Sequence, residues 1–132
     1  MNIEKAAGPL LQHIGFAGTL RTDHHAGAVR LRYMARPEFA HSNGTVVQGG
    51  LVTAWLDCAM AFAVSARDPE AVVASLELKV SFLECVPVGQ FEVEARVVRW
   101  GRSVVFLEAD LFSGDGHLLA RASSTGKLKK LP

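Results

Sequence analysis

Cysteine is scarce in this chain: Cys58 and Cys85 are the only two in 132 residues. Neither belongs to a CxxC pair, and His13, His24, His25, His41 and His117 are scattered rather than set at metal-ligand spacing. A disulfide framework and a zinc site are therefore not expected, and two isolated cysteines fit a reducing compartment. Cys58 sits in an apolar run and reads as a small buried hydrophobe. Excess charge of either sign is also lacking. The formal net charge is +1, with no long run of like charge, so the basic patch that a nucleic-acid binder needs to neutralise phosphates is missing. The one basic cluster, Lys127, Lys129 and Lys130, reads as part of a solvated tail. Long apolar runs are missing as well. The most apolar window, Leu51–Ala66, holds Asp57 in its middle and falls short of the roughly 20 residues a membrane span needs. The N-terminal stretch has no basic region leading into such a run, so no signal peptide and no membrane partner are expected. The GxSxG elbow, the Walker loop and the dinucleotide fingerprint are absent.

What is present is apolar side chain. Hydrophobic residues make up 49% of the chain and charged ones 20%, enough for a core with some surplus for an oligomer interface. The length fits one domain over residues 1–132, with an N-terminal helical segment at 1–14 and a short tail at 128–132. Ile3, Ala7, Leu10, Leu11 and Ile14 recur at helical spacing, and Gly8-Pro9 should bend or restart that helix. Strand-like runs follow at about Gly15–Thr22 and Gly27–Ala35, then a loop over Arg36–Val47. Gly49 to about Ala66 is apolar on nearly every face, as a helix buried all round would be. Beyond it come strand-like runs at Ala71–Glu84, Phe91–Trp100, Ser103–Phe112 and His117–Lys127, separated by turn residues. In the first of these, Leu76, Leu78, Val80 and Phe82 fall on one face. Two strands, a long buried helix and an antiparallel meander make an α+β layer architecture, a sheet covering one helix.

Asp57 is the only charged residue between Glu38 and Arg67. A carboxylate on an otherwise buried helix loses hydration, which is costly unless donors replace the water. Such a group either ties a neighbouring loop to the helix or does chemistry in a cleft. Gln48-Gly49-Gly50 opens the same helix. Free N–H groups at a helix N-terminus carry partial positive charge, and glycine lets a ligand come close. The pair therefore reads either as a tight turn or as a holder for a carbonyl oxygen gaining negative charge. On one chain Gly49 and Asp57 stand about 12 Å apart along the helix, so both could meet one substrate only across two chains.

Asn43-Gly44-Thr45-Val46-Val47-Gln48-Gly49-Gly50 followed by Leu56-Asp57 resembles the helix-start motif of hotdog-fold acyl-CoA thioesterases of the phenylacetate-pathway (PaaI-like) type, within the 4-hydroxybenzoyl-CoA thioesterase superfamily. Ser75–Leu83, Val88-Gly89, Trp100-Gly101-Arg102 and Asp115–Ala122 resemble that family's next strand, turns and closing hairpin. Each motif is short, and their order and spacing over about Gly15 to Lys127 carry the resemblance. It implies a hotdog fold, an antiparallel sheet wrapped around one long central helix. It implies hydrolysis of an acyl-CoA thioester to a carboxylate and free CoA, with no metal or other cofactor. Asp57 would be nucleophile or general base, Ser75 would hold the attacking water, and the Gly49 N–H would polarise the thioester carbonyl. Gln48 stands where the family usually has His, and its amide would serve the same carbonyl or anchor the loop. Asn43, one residue closer to Gly-Gly than the pattern expects, and Gly50 would flank the substrate; Asn43 also reads as a plain turn residue, and Ser75 as a strand-edge hydroxyl. Arg102 and Lys127, with Lys129 behind, would meet the phosphates of CoA. The family shares each site between two subunits, so a cytoplasmic homodimer, paired into a homotetramer, is expected. Two other readings stay open: a non-catalytic acyl-CoA-binding hotdog domain, which would not need Asp57, and an enoyl-thioester hydratase, which would want a His where Gln48 stands.

Overall fold

A computed structural model describes residues 2–131; Met1 and Pro132, at the ends of the expected N-terminal segment and tail, lie outside the described residues. The chain runs α1 (Ile3–Ala6), α2 (Gly8–His13), β1 (Phe16–Asp23), β2 (Ala28–Ala35), a 3-10 turn (Pro37–Phe39), β3 (Ala40–His41), β4 (Val46–Val47), α3 (Gly49–Arg67), β5 (Ala71–Phe82), β6 (Gly89–Trp100), β7 (Val104–Ser113) and β8 (Leu118–Lys130). The expected break at Gly8-Pro9 is real: α1 ends before it and α2 restarts on it, with Pro9 in the first turn where its missing N–H costs nothing. The loop expected over Arg36–Val47 contains the short β3–β4 hairpin. The expected tail at 128–132 is shorter, because β8 continues to Lys130 and pairs Leu128, Lys129 and Lys130 with Val73, Val72 and Ala71.

Six strands form one antiparallel sheet in the order β1-β2-β6-β7-β8-β5, and α3 packs on its inner face. This is the architecture expected from the sequence. Inward residues alternate along the strands (Leu31 and Tyr33, Phe91 and Val93, Leu107, Ala109 and Leu111) and close over Trp55, Leu56, Ala59, Met60 and Ala63 of the helix. Trp55 packs against Phe91 with ring centres 4.5 Å apart, and both Trp55 and Phe62 are buried in the core. The outward residues carry charge of alternating sign across the strands. Arg30 faces Glu94, Arg32 faces Glu92, Arg96 faces Glu108 and Asp110 faces Arg121, with ion pairs along the ladder. Cross-strand pairing of this kind stabilises register at about 0.2–1 kcal/mol per pair. At 19 residues and a mean hydropathy of 1.4, α3 is long and apolar enough to cross a membrane; here it is the core helix of the sheet.

The face expected for β5 needs a correction. Leu78 and Val80 pack onto the core, and Phe82, though 54% exposed, keeps their face and lies against Gly49 of α3, but Leu76 is 62% exposed and turns away. A bulge between Ser75 and Glu77, opposite Gly126 and Thr125 of β8, is the cause. One extra residue reverses the alternation on its N-terminal side. Val73 and Ser75 therefore face the helix together with Leu78 and Val80, where strict alternation would have turned Ser75 away.

Gly15 joins α2 to β1 at φ +83°, and a Cβ there would collide with the Met34 carbonyl oxygen. The same residue's own carbonyl accepts from the Met34 N–H. Gly15→Ala should therefore destabilise the fold by about 1–2 kcal/mol or more. Gly8→Ala, into open space at a helix start, should stay within about 0.5 kcal/mol of the parent. Urea unfolding of the two variants side by side checks the contrast.

Candidate active site

Helix α3 presents its sides unequally. Trp55, Leu56, Ala59, Met60 and Ala63 are buried, whereas Ala54, Asp57, Cys58, Ala61 and Ser65 are only half-buried. These five fall at the spacing of a single helical stripe, which the chain's own sheet leaves uncovered. Asp57 lies on that stripe, and the Ser75 hydroxyl donates to its Oδ1 at 2.7 Å. Among the described residues Ser75 is the one hydrogen-bond donor to this carboxylate, so Oδ2 keeps its capacity for a water or a substrate atom. Thr53, the other polar residue near the middle of the helix, donates instead to the Gly49 carbonyl at 2.9 Å and is tied into the helix backbone. Asp57 and Ser75 stand in the wall of a cavity of about 410 Å³ whose lining is otherwise apolar among the described residues.

That lining extends the residue set foreseen from the sequence. Ile3, Ala7, Leu10 and Ile14 of the N-terminal segment join it; their helical period was visible, but not which of the segment's apolar residues face the core and which a cavity. Cys58 corrects the expectation of a plainly buried thiol. It lines the cavity beside Asp57, and desolvation raises its pKa from the usual thiol value. The phenol of Tyr33, fully buried in the adjacent core, is pushed well up, first by desolvation and then by the neighbouring Cys58.

The second half of the predicted site lies at the start of α3. Gln48 is its N-cap: the side-chain Oε1 accepts from the Gly50 N–H at 2.6 Å and from the Leu51 N–H at 3.3 Å. The anchoring reading of Gln48 is thus realised as a helix cap, and the fixed Oε1 leaves its NH2 group as a donor. Leu51 and Val52 N–H also reach the Gln48 carbonyl. Gly49 alone in this first turn has an N–H with no acceptor among the described residues. The Phe82 ring lies against Gly49, 3.3 Å from where a Cβ would stand. Gly49, Val52 and Phe82 help line a cavity of about 380 Å³, which shares no lining residue with the one at Asp57.

The structure therefore brings the predicted residues together in two groups, Asp57 with Ser75, and Gln48 with Gly49 and Gly50. Asn43 stands apart at the tip of the β3–β4 hairpin with φ +66°, the turn role a left-handed Asn suits, and it lines neither cavity. Arg102 is exposed in the β6–β7 turn, and Lys127 is exposed on β8 between inward-facing Gly126 and Leu128. Both lie where β8 meets the start of β5, since the Leu128 N–H donates to the Ser103 carbonyl at 2.8 Å and Val73 pairs with Leu128. Among the described residues no cluster of three or more His, Cys, Asp or Glu could hold a metal.

Comparison with known proteins points one way. The sequence pattern of a family described as the thioesterase superfamily matches residues 44–120. Over 99 residues the chain is 30% identical to a Saccharolobus solfataricus protein provisionally named an esterase, a match covering 75% of this chain and 65% of that protein. The chain thus spans just under two thirds of the length of that relative. A Ralstonia eutropha protein related to phenylacetic acid degradation, described as a provisional thioesterase, shares 32% identity and superposes with a TM-score of 0.82 over 90% of this chain and 89% of its own. The phenylacetic acid degradation protein PaaI of Thermus thermophilus, at 22% identity, shares the fold with a TM-score of 0.77 over 90% of this chain and 97% of its own.

The two thiols should differ sharply in reactivity. Cys85 is exposed and Cys58 half-buried with its thiolate disfavoured by burial. Thiolate is the reacting form. Titration with an aromatic disulfide reagent at neutral pH should show one fast and one slow equivalent, and Cys85→Ser should remove the fast one.

Proposed function

The chain belongs to the thioesterase superfamily, and we propose that it hydrolyses an acyl-CoA thioester to a carboxylate and free CoA. The observation that carries this reading is the Ser75–Asp57 hydrogen bond set in the wall of an apolar cavity. A water held by Ser75 is placed beside a carboxylate with one free oxygen. As general base, Asp57 takes a proton from that water while its oxygen adds to the thioester carbon; the C–S bond then breaks and the proton passes to the leaving CoA sulfur. As nucleophile, Asp57 adds to the thioester carbon and the C–S bond breaks to expel CoA as thiolate; the water then opens the resulting acyl anhydride, freeing the acid and Asp57, and its released proton goes to the CoA sulfur. The Gly49 N–H, with the Gln48 amide beside it, meets the carbonyl oxygen as it gains charge. A thioester is reactive enough that one carboxylate, one water and an oxyanion donor suffice, so the reaction asks for no metal or redox cofactor.

The two groups of residues meet across a two-fold axis in this reading. β5 ends the sheet, and a twelve-residue edge strand is a template for pairing with a second copy. Ser75 lies beside Asp57 and Phe82 beside Gly49, at opposite ends of β5. Antiparallel self-pairing centred near Leu78 and Lys79 sets residue 75 of one chain opposite residue 82 of the other. That brings each Asp57–Ser75 pair toward the partner's Gly49 end. The assembly is then a homodimer with two shared sites, paired further into a tetramer, and the compartment is the cytoplasm. Arg102, in the turn beside the start of β5, flanks the approach to Asp57 and contacts the CoA phosphates, with Lys127 on the outer side of β8 behind it.

Asp57→Asn keeps shape and packing but can neither accept a proton nor attack as an anion. It should lower kcat by about 10²–10⁴-fold or more, with Tm held or raised because a partly buried charge is removed. An Asp that only ties strand to helix would give the reverse, lowered Tm with activity within a few-fold of the parent. Steady-state thiol release and a thermal melt of the two proteins decide. Arg102→Ala should raise KM more than it lowers kcat, and KM determined at low and moderate salt should show the increase shrink as salt screens the contact.

A further inference from the structure

The cavity beside Asp57 has an unusual roof. Its floor is the α3 stripe, where Ala54 and Ala61 are too small to fill the space in front of them, and its cover is Ile3, Ala7 and Leu10 of the N-terminal helix pair. The pair is held at its C-terminal end: the Trp55 indole N–H donates to the Ile14 carbonyl at 2.7 Å, and the Arg36 guanidinium donates to the carbonyls of Gln12 and His13. At the other end Thr19 donates to the Glu4 carboxylate. The cover lies outside residues 44–120, the stretch that matches the family pattern, so that pattern does not describe the residues that form it. Leu10 lines the cavity yet is 58% exposed, an apolar edge left open to solvent.

We propose that the N-terminal helix pair is the acyl-specificity element, closing a chamber that selects neutral acyl groups of medium chain length. The inference rests on the acyl-CoA reading above. The chamber of about 410 Å³ is between two and three times the roughly 150 Å³ that encloses a benzene ring. It therefore has room for a flexible chain of about eight to twelve carbons at ordinary liquid density. Acetyl leaves most of it empty, and palmitoyl overruns it. Among the described residues Asp57 is the only charged side chain in the lining, so an acyl group with a terminal carboxylate would bring a second negative charge into a largely apolar space where these residues offer it no cation. With Asp57 and Ser75 at the reacting carbon, the chain lies between α3 and the α1–α2 cover.

Thiol release from acetyl-, butyryl-, decanoyl-, palmitoyl- and succinyl-CoA tests this directly. Each methylene buried should raise kcat/KM by about fourfold until the chamber is full. Decanoyl-CoA should then exceed butyryl-CoA by at least about tenfold and palmitoyl-CoA should fall back, with succinyl-CoA at least about tenfold below butyryl-CoA. Ala61→Leu, which fills the floor, should cut the decanoyl-to-butyryl ratio by about tenfold or more. Leu10→Ala, at an exposed position where folding is not at stake, should cut it by about three- to tenfold through lost cover. Ratios within twofold of the parent in both folded variants, or rates independent of chain length, overturn the specificity role while leaving thioester hydrolysis standing. Thiol release from none of the five substrates overturns the acyl-CoA reading itself, and this inference falls with it.

Discussion

Asp57 has to be accommodated on the helix around which the whole sheet closes. α3 supplies the centre of the core through Trp55, Leu56, Ala59, Met60 and Ala63, and a helix in that place would ordinarily be covered on every side. One carboxylate prevents this, because burying it without donors would cost several kcal/mol. The chain leaves the Asp57 stripe off the sheet, gives the carboxylate one hydroxyl donor from Ser75, and covers the rest loosely with two short helices. The cavity is what remains between a helix that must be buried and an acid that must not be sealed in.

The same constraint explains the irregularity of β5. Ser75 reaches Asp57 only because the bulge before Glu77 turns residues 73 and 75 inward while 78 and 80 still pack the core. Bulges of this sort re-aim a side chain at the cost of one unpaired residue, and here that residue is the exposed Leu76. At the far end of the strand Phe82 lies over Gly49, its ring 3.3 Å from where a Cβ would stand. β5 is thus an edge strand whose two ends carry the two halves of the proposed site.

Much of this was legible in the sequence. The period of the Gly49–Ala66 segment marked the helix to within a residue, since apolar side chains on nearly every face leave few alternatives. The alternation of Arg30, Arg32, Glu92 and Glu94 with apolar neighbours marked the half-buried strands. Asp57 stood out because a lone charge in an apolar helix demands a physical account. The face of β5 was misread at Leu76 because a bulge leaves no trace in alternation: Leu76, Leu78, Val80 and Phe82 form an unbroken period of two. The N-terminal period was seen as a helix, but Leu11 in the core and Leu10 at a cavity are adjacent apolar residues, and only the tertiary arrangement separates them. For Gln48 both an anchoring and an active-site role were open; the cap geometry shows how its Oε1 is engaged, a long side chain folding back on its own helix N-terminus as Ser or Asp more often does.

The central claim is that one reaction centre is built from two chains, Asp57 and Ser75 of one with the free Gly49 N–H of the other. Gly49→Pro removes that N–H and keeps the helix start, because proline suits the first position of a helix and Gln48 already has the extended backbone, ψ 133°, that a residue before proline needs; the exposed Phe82 ring gives by a few tenths of an ångström to admit the added carbons. Co-expression of Asp57→Asn and Gly49→Pro chains under different affinity tags, followed by tandem purification, gives mixed dimers in which one site carries both changes and the other neither. The account predicts that each homodimer is inactive and that the mixed dimer regains about half of the parent rate, one intact site of two. A mixed dimer no more active than either homodimer would contradict it, since a site contained within one chain would be broken in both subunits.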